Sequence, residues 1–231
     1  MLKTNWELNK TKFANLGINH YELPTDIFDW LKTKSFEAKE KDIDARESLA
    51  GHIRQEYFIK SNWAQEYKKD LGVDTDETFL RFGNWLSHRC FEKPLNMFTG
   101  THYVLSRDRK MIISSLWANF QKKYEFNPPH THGGVYSFIV FVNVPFNYER
   151  EKGQFNAGAP GSDFHTSKLY FLNLSPLNQN QNGIAVTLLD VDKSFEGKII
   201  LFPSNLTHGV HPFYTSDDYR ITMSGNLVFD V

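Results

Sequence analysis

The sequence predicts a mainly β fold, an antiparallel sandwich or barrel with helices gathered in its N-terminal part. Three observations predict it. From His102 onward, short runs of β-branched and aromatic residues are separated by turn residues, with no long helical pattern between them. One of these runs, 135–144, is apolar on both faces and so needs cover on both sides. The first ninety residues instead read mostly as helix and connector, with apolar spacings of three and four.

The elements follow in order. Pro24-Thr25-Asp26 sets helix-start chemistry ahead of Ile27, Phe28 and Leu31. Residues 37–47 mix charges densely, as a solvated helix face or linker does. Residues 62–71 read as a short helix stopped by Gly72. Asp74-Thr75-Asp76 offers N-caps for a helix with Phe79, Phe82 and Leu86 on one stripe. The expected strands are 103–106, 111–120, 135–144, 169–174, 185–191, 198–202 and 219–229, with a hairpin turn at 107–110. The N-terminal helices are the natural cover for the outer face of run 135–144. Residues 146–168 form a long polar loop with several glycines, of the kind that serves as a lid or binding loop, and 175–183 a short polar connection.

Composition narrows the function. A chain of 231 residues can bury a sizeable core, and 20 Phe imply a well-filled one with an aromatic-lined pocket. With 26 basic and 27 acidic residues the charge is near neutral, which argues against nucleic acid as the main partner, because phosphate neutralisation needs a basic face. No membrane association is expected, since the longest mostly apolar run, 135–146, is too short to span a bilayer. The N-terminal residues lack the apolar segment of a secretory signal. A single cysteine, Cys90, excludes an internal disulfide framework and a cysteine-rich zinc site, and fits the cytoplasm. Oligomeric state is not legible.

Three segments carry chemistry. In Asn127-Pro-Pro-His130-Thr-His132-Gly-Gly, residues i and i+2 of an extended chain share a face, so two imidazoles can converge on one metal. Taken alone, such a pair is as readily a surface loop. In Leu201-Phe-Pro-Ser204…His208-Gly-Val210, a strand runs through a turn into a histidine that a barrel mouth could present as a third ligand, or that could be a hydrogen-bonded structural residue. In Arg220-Ile221-Thr222, the arginine and threonine share a strand face. An inward arginine needs an anion, and a dicarboxylate's far end would supply one, a contact of roughly 1.5–3 kcal/mol. The alternative is a surface Arg220 paired with Asp217 or Asp218. Trp117, Asn119 and Gln121 alternate on one strand face. Asn119, Asn127 and Ser137 are candidate pocket residues or structural hydrogen-bonders.

Together these segments resemble the Fe(II)/2-oxoglutarate-dependent oxygenases, in particular a branch found in bacteria and in phages of marine bacteria. The matching residues are Trp117-Ala-Asn119, Asn127-Pro-Pro-His130-Thr-His132, Ser137 followed by Val144-Pro145, Leu201-Phe-Pro-Ser204…His208-Gly-Val210 and Arg220-Ile-Thr222, within roughly residues 117–226. The resemblance implies a double-stranded β-helix, or jelly-roll, with helices packed on the outer face of one sheet. It implies one domain, 1–231, with mainly helical support over 1–100 and a catalytic jelly-roll core over 101–231. It implies Fe(II) on His130, His132 and His208, and 2-oxoglutarate held by Arg220 with Thr222, Asn119 and Ser137 beside it. The partners are then 2-oxoglutarate, O2 and an unidentified substrate. The implied reaction couples decarboxylation of 2-oxoglutarate to succinate with hydroxylation.

The wider superfamily uses two histidines and a carboxylate. Here His132 stands at the carboxylate's place, unless Asp163 or Asp190 completes the site. Three histidines also suit a cupin-like metalloenzyme that does not use 2-oxoglutarate. A third possibility is a non-catalytic jelly-roll binding module with scattered histidines. His20, His52, His88, His102, His165 and His211 match no motif, with His165 and His211 as second choices near the site segments.

Overall fold

The computed structural model describes residues 17–61, 70–92, 109–152, 154, 165–175 and 183–230. The expected strand 103–106, most of the expected helix 62–71, the first half of the hairpin turn 107–110 and most of the connection 175–183 lie outside them. So do residues 153 and 155–164 of loop 146–168.

Ten strands and three helices are described, and all strand pairings are antiparallel. In chain order they are β1 (Asn19–Glu22), α1 (Thr25–Glu40), β2 (Glu56–Lys60), α2 (Glu77–Glu92), β3 (Met111–Gln121), β4 (Asn127–His130), β5 (Tyr136–Asn143), α3 (Tyr148–Lys152), β6 (Leu169–Ser175), β7 (Gly183–Leu189), β8 (Lys198–Pro203), β9 (His208–Val210) and β10 (Arg220–Phe229). One sheet has six strands in the order β1-β8-β5-β10-β3-β2; the other has four, β4-β9-β6-β7. No described helix is long and apolar enough to cross a membrane.

The strand period builds two cores. Phe138, Val140 and Val142 of β5 pack on the helix side of the six-stranded sheet, with Leu116, Ala118 and Phe120 of β3 and Ile221 and Met223 of β10. The residues between them point inward. Ile139 and Phe141 join Phe171, Leu189, Ile200 and Phe202 in the core between the sheets. β5 is therefore apolar on both faces because it is covered on both.

The helices supply the outer cover. Ile27, Leu31, Ser35 and Ala38 form the buried stripe of α1. On α2 the stripe is Phe79, Phe82, Leu86 and Cys90. Asp76 caps α2 as expected, its Oδ1 accepting the N–H groups of Thr78 (2.9 Å) and Phe79 (3.2 Å). Its Oδ2 accepts from Trp30 Nε1 at 3.0 Å, tying the two helices together.

Two departures from the sequence reading matter. The first ninety residues contain two strands, β1 and β2, which are the edges of the six-stranded sheet. Each is short, and its partner strand lies far along the chain. The second departure is at 146–168, where α3 replaces the start of the expected loop. The Glu151 carboxylate of α3 is buried and accepts the backbone N–H groups of Tyr214 and Thr215, pinning the segment that leads into β10.

Candidate active site

β4 and β9 carry the first pair of functional side chains. They are antiparallel neighbours, and His130 lies directly across from His208. That register brings two distant residues together, with ring centroids 4.4 Å apart. β4 ends at His130, so His132 is not a same-face strand neighbour of it. Instead the His132 backbone N–H donates to the Ser204 carbonyl at 2.9 Å, which holds the turn after β4 against the turn before β9. Gly134 lets the chain leave again: its φ is +102°, and a Cβ there would sit 2.8 Å from the Leu227 carbonyl oxygen. The His132 ring lies 4.9 Å from His130, 5.0 Å from His208 and 5.5 Å from Trp117.

The cluster has the properties of a metal-binding set. One ligand nitrogen from each of the three rings lies within 4.8 Å of the others. His130 Nδ1 is bonded to the Pro128 carbonyl (2.8 Å) and His208 Nδ1 to the Leu206 carbonyl (3.0 Å), so both rings keep Nε2 as a free lone pair. Burial lowers all three pKa values, His132 to about 3 and His208 well below the ordinary range, with neighbouring imidazoles adding to the effect for both. Neutral imidazoles are the ligating form. Among the described residues no carboxylate joins the group: Asp190 is paired with Lys168 at 3.0 Å, and Asp163 lies outside the described residues.

The same cavity, about 680 Å³ with its mouth, is lined by all three histidines, Trp117, Asn119, Gln121, Asn127, Arg220 and Thr222. Arg220 is 3% exposed, so the surface alternative does not hold, and Asp217 pairs with Lys123 instead. The guanidinium is held by neutral acceptors: Nε donates to Gln121 Oε1 (2.9 Å), Nη1 to the Ser167 carbonyl (2.8 Å) and Nη2 to the His211 carbonyl (3.2 Å). No acid is in contact with it among the described residues, and burial pulls its pKa down to about 9. Thr222 Oγ1 accepts from Asn119 Nδ2 at 3.2 Å. Ser137 lies outside the cavity lining. Its hydroxyl donates to Asn226 Oδ1 (2.7 Å) and is hydrogen-bonded to Ser204 Oγ (3.2 Å). His165 and His211 lie 5.2 Å from each other and outside the triad.

One cavity residue had no sequence signal that marks it. Glu56 of β2 pairs in register with Asn119 of β3, is 3% exposed and lines the cavity. Burial, with Asp44 and Glu125 nearby, pushes its carboxyl up to about 8. The aromatic and β-branched run in Glu56-Tyr-Phe-Ile-Lys60 could have suggested a strand, but not that its first residue faces the site.

Residues 115–226 match the family described as "Putative 2OG-Fe(II) oxygenase". The region 115–226 is that of a 2OG-Fe(II) oxygenase. The cofactors of this family are Fe(II) and 2-oxoglutarate, and the three imidazoles and the buried guanidinium are chemically suited to them. A search of curated proteins finds no match. Among solved structures, a prolyl-4-hydroxylase from Pseudomonas putida is similar with a TM-score of 0.51 at 13% identity, over 96% of this chain and 97% of that one. This likeness shows the shared fold, a jelly-roll. AviO1 from Streptomyces viridochromogenes Tue57 has a TM-score of 0.48 at 12% identity, over 94% and 92% of the two chains.

Proposed function

We propose that this oxygenase is a hydroxylase, coupling conversion of 2-oxoglutarate to succinate with insertion of one oxygen atom into a substrate C–H bond. The observation that carries the reading is one cavity shared by three neutral imidazoles and a buried guanidinium with no acid against it among the described residues. In this reading His130, His132 and His208 bind the iron. When bound, the iron supplies dioxygen activation and the chelation site for the C1 carboxylate and keto oxygen of 2-oxoglutarate.

The chain's own groups do the rest. Pro128 and Leu206 carbonyls fix two imidazole rings through Nδ1, so that Nε2 is presented to the metal. The C5 carboxylate goes to Arg220, which Gln121 and two backbone carbonyls hold in place before the ligand arrives. Thr222 Oγ1 already accepts from Asn119, so its own proton is free to donate to the same carboxylate. Ser137 acts from behind the site, through Ser204, whose carbonyl takes the His132 N–H. Ile139, Phe141 and Leu169 provide apolar walls that keep the reacting centre dry.

Three neutral ligands would leave the full positive charge on the metal, of which the C1 carboxylate would offset one unit while the C5 carboxylate pairs with Arg220. The test is anaerobic binding of 2-oxoglutarate by iron-loaded protein, followed by succinate release and isotope incorporation from 18O2. Succinate should require both iron and 2-oxoglutarate, and the product should gain one labelled oxygen. His208→Ala should retain less than a tenth of the wild-type metal content. A wild-type protein that neither binds nor consumes 2-oxoglutarate overturns the site assignment. A product without added oxygen overturns hydroxylation.

A further inference from the structure

The Glu56 carboxyl makes no hydrogen bond or ion pair to any described residue, although the residue is 3% exposed and lines the cavity. An isolated buried carboxyl costs stability unless something pairs with it. Beside it in the same cross-strand row, Asn119 spends Nδ2 on Thr222 (3.2 Å) and Ser224 (3.3 Å), and its Oδ1 is buried with no donor. Two neighbouring acceptors are therefore unmet.

The co-substrate cannot meet them, because 2-oxoglutarate brings carboxylates and no donor. Its proposed anchors, Arg220 and Thr222, lie on β10, two strands from Glu56 across the sheet, about 10 Å. Among the described residues no cation meets it either. The acidic Asp44 and Glu125 are the charged neighbours that act most strongly on Glu56, and Arg46 is committed to Asp44 through Nε at 2.9 Å. Leu49, Ala50 and Ile53 line the cavity as an apolar wall.

We propose that the prime substrate is an aliphatic amine, whose ammonium group sits between the Glu56 carboxylate and the Asn119 side-chain carbonyl and whose alkyl chain lies along Leu49, Ala50 and Ile53. This rests on the oxygenase reading of the site. An ammonium carries three donors and a positive charge, which answers both acceptors at once, whereas a hydroxyl carries one donor. Glu56 is then the residue that sets substrate specificity.

The test uses iron-loaded, 2-oxoglutarate-saturated protein under anaerobic conditions, with n-pentylammonium and 1-pentanol as matched probes in calorimetric titrations. Wild type should bind the amine at least tenfold more tightly than the alcohol. Glu56→Gln should lose that preference by tenfold or more, with alcohol binding and 2-oxoglutarate affinity kept as controls. Equal affinities in wild type, no amine binding, or an amine preference that survives in Glu56→Gln overturns the proposal. Failure of wild type to bind 2-oxoglutarate in the preceding titration instead strikes the oxygenase reading on which the proposal stands.

Discussion

Replacing Glu56 with Gln should change how stability depends on pH in a way that isolates one buried group. The folded carboxyl is pushed up to about 8 from an ordinary 4.5. Below pH 4.5 the group is protonated in both states and burial carries no charge penalty. As pH rises, the unfolded chain ionises first, and the folded state loses relative stability until the folded carboxyl has also ionised, near pH 8. At about 1.4 kcal/mol for each pH unit between those limits, the full loss is on the order of 5 kcal/mol. Gln has nearly the same shape and no charge, and the Glu56 carboxyl has no hydrogen bond to a described residue for it to lose. The two proteins should therefore differ little at pH 5, and Glu56→Gln should become the more stable by several kcal/mol at pH 8. Urea titrations read by the fluorescence of the five tryptophans, at pH steps from 5 to 8 and under identical metal loading, give the difference. Other titrating groups cancel between the two proteins. A stability difference that stays constant across that range would refute the burial argument.

Two further outcomes check the rest of the site. Arg220→Ala should keep its metal and lose 2-oxoglutarate affinity by roughly 10- to 150-fold, the worth of a charge-assisted contact of about 1.5–3 kcal/mol. Unchanged affinity in an anaerobic titration would remove Arg220 from the co-substrate site. Gly209→Ala should destabilise the fold by about 1–3 kcal/mol and weaken metal binding, because the new Cβ would lie 2.9 Å from the Asn127 carbonyl and would collide with the Tyr170 ring. The collision falls next to His208, so a variant with wild-type melting and metal affinity would contradict the close pairing of β4 with β9.

Much of this site can be read locally. The side-chain chemistry of His130, His132, His208 and Arg220 is visible residue by residue, and the strand period already places Trp117, Asn119 and Gln121 on one face. The expected helix cap at Asp76 and the two-faced burial of β5 also follow from short windows of sequence. The pair His130–His132 illustrates where that reasoning stops. Their convergence was expected from strand alternation, yet β4 ends at His130. The second ring is brought in by a backbone hydrogen bond to Ser204, a residue no local window contains.

By itself, then, the amino-acid order determined the alternation of inward and outward residues, the helix stripes and the kinds of ligand atoms on offer, because each depends on neighbours within a few positions. Only the tertiary structure decided which strands lie side by side. That arrangement set His208 across from His130, put Gln121 rather than an acid against Arg220, and drew β2 in from the N-terminal region so that Glu56 faces the cavity. The physical reason is that antiparallel pairing joins segments far apart along the chain. Its register is selected by burial over the whole sheet rather than by any one stretch of sequence.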